Sequence, residues 1–179
     1  IAPEGEGALG EAAAKALLAR YGVPVNRGEL AAGPAEAEAA ARGMRAPFVV
    51  KVVSADIVHK SDAGGVALGL DSPEAVAEAV ARMAAGIGKV LPRARIEGYL
   101  VQEQARGKLE LFIGARNDPQ FGPVMLVGAG GVLIEVLKDV ATAPAPLSRE
   151  RARGMLAALR VAPILEGYRG QPPLDIEAV

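Results

Sequence analysis

Apolar residues return every three or four positions near the start of the chain. Leu9, Ala13, Ala16 and Leu17 share one side of a helix, and Arg20 marks where that side reaches solvent. Gly22 and Pro24 break this helix, and a short apolar stretch follows as a strand. The segment PAEAEAAARGM predicts a second, Ala-rich helix with Pro34 in its first turn. PFVVKVVS is a β-branched run of strand length, and GVALGL is a shorter one after a flexible segment. SPEAVAEAVARMAAGI carries the clearest helical signal: Ser72 caps it, Pro73 opens it, and Val76, Val80 and Met83 lie on one face.

The second half is richer in strands. EGYLVQEQA and LELFIGAR read as two strands joined by a tight turn at Arg106-Gly107, and NDPQFGP reads as a loop. VMLVGAGGVLIEVLKDV reads as two strand-length runs split by Gly128, Gly130 and Gly131. SRERARGMLAALR is a helix capped by Ser148, and LEGYRGQPPLD is a turn-rich tail. Helices and strands alternate at first and several strands then adjoin, which predicts an α+β chain with two lobes. The expected lobes are residues 22–92 and 93–179, with the helix at 8–21 packed on the second.

Composition narrows the functional classes. Basic and acidic residues number 20 and 21, which argues against an electrostatic nucleic-acid binder. With no cysteine, disulfides and thiolate metal sites are excluded. Aromatic residues are 3%, so Ala, Val, Leu and Ile must fill the core. No apolar window approaches the ~18 residues of a membrane span, and the first residues lack the pattern of a signal peptide, so the expected location is cytoplasmic. Fourteen of the basic residues are Arg and only two residues are Asn, a bias that fits a thermophile or a GC-rich genome. A chain that opens on Ile1 rather than Met reads as a fragment or a processed chain.

The candidate chemistry starts at SADIVHKSDAGGV, which holds the only histidine. A neutral imidazole accepts phosphoryl groups, Lys60 can neutralise an incoming phosphate, and Gly64 and Gly65 let the segment bend. A surface turn with an idle histidine fits the same letters. Lys51, inside a valine strand, is either a solvent-facing lysine or a phosphate ligand on a rigid element. The glycine turn at 128–131 can present N–H groups to an anion, and Glu135 and Asp139 after it can hold Mg²⁺ through oxygen; a hairpin with solvated charges is the alternative. Glu103 and Glu110 flank a strand-turn-strand that could hold a purine and its ribose, or simply face water.

Taken in order, AKALLARYGVPV, PFVVKVVSADIVHKSDAGGVALGL, EGYLVQEQARGKLELFIGARNDPQFGPVMLVGAGGVLIEVLKDV and LEGYRGQPPLD resemble the ATP-grasp domain of ADP-forming acyl-CoA synthetases. The likeness is greatest to the acetyl-CoA synthetase β chain, a relative of succinyl-CoA synthetase, and it spans nearly the whole chain. It implies one ATP-grasp domain of two lobes with a nucleotide cleft between them. It also implies an acetate–CoA ligase type of enzyme that works with ATP or ADP, Mg²⁺ and a CoA-binding α subunit or domain. By resemblance, His59 relays the phosphoryl group and Lys51 binds nucleotide phosphates. Gln102, Glu103, Gln104 and Ala105 hold adenine, and Glu110 holds ribose. Lys60, Gly64, Gly65, Gly130 and Gly131 line the phosphate path, and Glu135 and Asp139 hold the metal.

Two departures accompany the resemblance. Where the family has a Phe-Arg pair, this chain has Thr142 and Ala143. The family's later strand, with an acidic residue and then Asn-Pro, lies beyond Val179. Both motivate an alternative reading, a nucleotide-binding or regulatory module of weakened chemistry, as in synthetase-like domains fused to protein acetyltransferases.

Overall fold

The computed structural model describes residues 9–57, 59–131 and 133–179. The chain folds as two compact units, Ile1–Ala105 and Arg106–Val179.

The first unit is built on an antiparallel sheet in the order β1-β4-β2-β3, from β1 (Gly28–Ala31), β2 (Phe48–Val53), β3 (Val66–Leu70) and β4 (Gly98–Glu103). Strand periodicity divides β2 between two faces. Phe48, Val50 and Val52 face α2 (Pro34–Arg42) and α3 (Pro73–Val90), and Lys51 takes the opposite face. Ala37, Ala40 and Ala41 bring α2 close to its neighbours because they carry almost no side chain. On α3, Val76, Val80, Met83 and Ile87 form the buried stripe, each large side chain contributing about 1.5–3 kcal/mol of burial. Ser72 caps α3 by accepting the Ala75 N–H at 3.1 Å.

α1 (Glu11–Arg20) forms where the periodicity predicts it, yet it fully buries none of its side chains. It contributes through Glu11, which bonds to residues of β2 and β4. The lobe boundary thus falls later than residue 92. β4 belongs to the first sheet, between β1 and β2, and α1 bonds to that sheet through Glu11.

The second unit has a three-stranded antiparallel sheet, β5 (Leu111–Asp118), β6 (Gly122–Ala129) and β7 (Val140–Pro144). α5 (Arg149–Ala157) and α6 (Ala162–Leu165) complete its core: Val127, Ala129, Ala143, Met155, Leu156, Leu159, Val161 and Leu165. Three sequence expectations change here. β4 and β5 lie in different sheets, so the Arg106-Gly107 segment links the units instead of closing a hairpin. NDPQFGP is mostly strand: pairing runs to Asp118 and Gly122, and Asp118 Oδ1 accepts the N–H groups of Gln120 and Phe121 to close the turn. The second apolar run is not a strand but the short helix α4 (Leu133–Leu137), with the partner strand β7 falling later. Gly131, at φ 58°, and Lys138, at φ 48°, bracket that helix with left-handed turns.

Candidate functional site

Lys51 reaches the sheet face opposite the helices because Phe48, Val50 and Val52 alternate with it. On that face it pairs with Leu100 of β4, while Gln102 sits two residues along. Its ammonium lies 2.7 and 2.9 Å from the two carboxylate oxygens of Glu11. Gln102, 1% exposed, donates to Glu11 Oε1 at 3.1 Å, and Lys15 approaches the same oxygen at 3.2 Å. Burial pushes the Glu11 carboxyl up, but the hydrogen bond and charge of Lys51, helped by Gln102 and Lys15, outweigh it and hold the group at about 2. Lys15 also donates to Asn26 Oδ1 at 2.6 Å, and Asn26 Nδ2 donates to the Glu103 carbonyl at 2.6 Å.

Glu11, Lys51 and Lys60 line one cavity of about 540 Å³, with Glu97, Leu30 and Leu100 among the other walls. Two of the expected phosphate-binding lysines are therefore brought together. His59 precedes Lys60 and is exposed. The turn that carries it closes by Gly64 N–H to the Ser61 carbonyl at 3.1 Å and Gly65 N–H to the Lys60 carbonyl at 2.7 Å. Gly64 adopts φ 68°, and Gly65 passes so close to β2 that a β-carbon on it would meet Val52 Cγ1 at 2.4 Å. Ile57, 4% exposed, anchors the other side of the turn in the core. Val58 lies outside the described residues.

The segment 102–105 is tied into the first unit by hydrogen bonds. Glu103 donates its N–H to the Arg27 carbonyl, and its carboxylate accepts the Arg45 N–H. Gln104 donates its N–H to the Pro47 carbonyl, and its side chain accepts the Gly69 N–H at 2.8 Å. Gln102 donates from its side chain to Glu11. Ala105 is exposed at the end of the first unit.

In the second unit, Glu110 and the glycine turn form one local arrangement. The Gly130 N–H donates to the Glu110 carbonyl at 2.7 Å, and a β-carbon on Gly131 would stand 2.4 Å from Glu110 Oε2. The side chain of Glu135 lies outside the described residues. Asp139 is 7% exposed, and its two oxygens accept the backbone N–H groups of Arg160 at 2.8 Å and Val161 at 3.0 Å. Its carboxylate anchors the link between α5 and α6. Among the described residues no three His, Asp or Glu side chains gather into one cluster. Ala143, where the family's arginine was expected, is packed in the second core at 1% exposure.

The sequence reading missed Glu11, Lys15 and Asn26. The signal available was the Glu11–Lys15 spacing of four on a helix, a pair that side-chain geometry favours. Only the apolar face of that helix entered the reading.

The whole chain, residues 1–179, matches the ATP-grasp domain family, and it belongs to that family. It is 42% identical over 163 residues to acetate–CoA ligase [ADP-forming] I of Archaeoglobus fulgidus, covering 91% of this chain and 24% of that protein. It is 37% identical over 179 residues to the β subunit of acetate–CoA ligase [ADP-forming] II of Pyrococcus furiosus, covering 100% of this chain and 76% of that subunit. The chain thus spans about a quarter of the Archaeoglobus protein and about three quarters of the Pyrococcus subunit. Among solved structures it resembles dinucleotide-forming acetyl-coenzyme A synthetase 1 of Ca. Korarchaeum cryptofilum. The form with coenzyme A, Ca-AMPCP and HgCl+ gives a TM-score of 0.86 at 43% identity, covering 92% of this chain and 72% of that one. The form with coenzyme A and Mg-AMPPCP has its phosphohistidine segment pointing towards the nucleotide binding site. It gives 0.81 at 40% identity, covering 94% and 72%. No helix of the described residues is long and apolar enough to cross a membrane.

Proposed function

We propose that this chain is the nucleotide-binding part of a cytoplasmic ADP-forming acyl-CoA synthetase of the acetate–CoA ligase type, working with a CoA-binding α subunit or domain. The observation that carries this reading is the convergence of Lys51 and Lys60 on one cavity, with the exposed His59 next to Lys60 on a glycine-closed turn. The two ammonium groups supply the positive charge that an incoming phosphate needs. Phosphoryl transfer depends more on such placement and neutralisation than on covalent machinery.

In this reading the partner forms an acyl phosphate and free CoA from acyl-CoA and phosphate, then passes the phosphoryl group to a histidine and releases the free acid. His59 then receives it: its imidazole nitrogen bonds to phosphorus as the bond to the donor breaks. Next the terminal oxygen of ADP attacks the same phosphorus, the N–P bond breaks, and its electron pair returns to the ring. ATP leaves and His59 is restored. Lys51 and Lys60 hold the nucleotide phosphates in line, and Glu110 with the Gly130–Gly131 turn serves the nucleotide in the second unit. Gln102, Glu103, Gln104 and Ala105 form the segment proposed to meet adenine. Mg²⁺ accompanies AMPPCP in the Korarchaeum relative. The same ion is proposed with the nucleotide here, and no step is assigned to it, since the described residues hold no ligand set.

Incubation of the complete enzyme with acyl-CoA and labelled phosphate should label His59, and ADP should discharge the label as ATP. His59→Asn should lose both label and turnover. Full turnover in that variant overturns the relay, and nucleotide binding with no labelling of the wild-type protein indicates a regulatory module instead.

A further inference from the structure

We infer that Glu11 is a positioning residue for Lys51: held in place by Gln102 and Lys15, its carboxylate aims the Lys51 ammonium into the cavity and so sets the affinity for nucleotide phosphate. The inference rests on the nucleotide reading of the first unit.

An ammonium has three N–H donors. Two of them reach Glu11, at 2.7 and 2.9 Å, which fixes the direction of the third. A lysine on a flexible four-carbon stem otherwise spends much of its rotamer freedom when it binds an anion. Glu11 is not itself free to follow Lys51. Gln102 holds Oε1 at 3.1 Å from a buried place in the sheet, and Lys15, one turn along α1, holds the same oxygen at 3.2 Å. Gly28 makes room for this support, since a β-carbon there would stand 2.9 Å from Gln102 Cγ.

Lys51, Lys60, Glu11 and Glu97 line the cavity, so two positive and two negative charges face it. Glu11 relieves the mutual repulsion of the lysines, and the ammonium it directs stays available to phosphate. The bonds from Lys15 to Asn26 and from Asn26 to the Glu103 carbonyl extend the network to the segment proposed for the base. Phosphate and base ends of the first unit thereby share one set of hydrogen bonds. α1, which fully buries no side chain, becomes part of the binding site through its polar face.

The test compares ADP and adenosine binding by calorimetry in the full-length protein, its Glu11→Gln and Lys51→Met variants, and the double variant. Glu11→Gln should weaken ADP roughly tenfold, the scale of one charge-assisted contact, and leave adenosine unchanged. In the Lys51→Met background the same substitution should cost nothing further, because Glu11 acts through Lys51. Glu11→Asp should recover part of the loss. Equal weakening of ADP and adenosine, an undiminished loss without Lys51, or tighter ADP binding by Glu11→Gln overturns the inference and leaves Glu11 as a helix anchor or a competing anion. If Lys51→Met leaves ADP binding untouched, the nucleotide reading itself falls, and this inference with it.

Discussion

Asp139 accepts the backbone N–H of Val161 at 3.0 Å with one carboxylate oxygen, while the other takes the N–H of Arg160 at 2.8 Å. The carboxylate thus ties the end of α4 and start of β7 to the link between α5 and α6. Asp139→Ala leaves those amides without an acceptor, at about 1–3 kcal/mol for each buried one, so a total loss of roughly 2–4 kcal/mol is expected in urea unfolding. Asp139→Asn should lose less, since its one remaining oxygen still accepts. Both losses should be the same with and without Mg²⁺. A loss that appears only when Mg²⁺ is present would return Asp139 to the metal.

How far the sequence could lead is visible in this same stretch. The run VLIEVL has the composition of a strand and the length of either element. Periodicity alone cannot separate a short buried strand from one and a half turns of helix. The glycine turn before it and the left-handed Lys138 after it decide for helix, and neither backbone angle is written in the letters. α3 was legible because its apolar residues repeat one period along an eighteen-residue helix and Ser72 and Pro73 mark its start. The catalytic candidates show the same contrast. Lys51 and Lys60, nine residues apart in the sequence, share a cavity. Glu11 joins them across 40 residues of chain, and such a meeting follows only from the order of strands in the sheet.

Gly65 provides a second prediction. It is buried, and a β-carbon on it would lie 2.4 Å from Val52 Cγ1 and 3.0 Å from the Lys60 carbonyl. Val52 is fully buried in β2 and cannot retreat. Gly65→Ala should therefore cost about 1–3 kcal/mol as an overpacked contact and displace the turn that presents His59. Gly64→Ala meets no atom within 4 Å but must adopt φ 68°, so its cost is backbone strain of roughly 1 kcal/mol. Thermal unfolding of the two variants should rank Gly65→Ala as the less stable; the reverse order would remove the close approach as the reason for glycine.

Gly131 bears on the second unit in the same way. Its φ of 58° disfavours a side chain, and a β-carbon would press on Glu110 Oε2. Gly131→Ala should weaken ATP binding through displacement of Glu110 and lose roughly 1 kcal/mol of stability to backbone strain, the contact itself costing little because the neighbour is the far end of a flexible side chain. Glu110→Ala should weaken ATP binding by itself, and in that background Gly131→Ala should add little. Independent, additive losses would separate the glycine turn from Glu110.

The ion pair of Glu11 with Lys51 gives a pH signature. The Glu11 carboxyl falls from an ordinary 4.5 to about 2 in the folded protein. A depressed carboxyl stabilises the fold fully above its unfolded value, and the contribution drains away as pH drops from 4.5 towards 2. Glu11→Gln lacks this dependence. Asp118, also lowered, by the N–H groups of Gln120 and Phe121, is present in both proteins and cancels in the comparison. The difference in unfolding free energy between wild type and Glu11→Gln should be constant above about pH 5 and shrink steadily below it, because protons then bind the unfolded wild-type chain first. Urea titrations at several pH values between neutrality and about pH 2.5 measure that difference directly. A difference that stays flat over the whole range would mean that Lys51, Lys15 and Gln102 do not hold the carboxylate in solution.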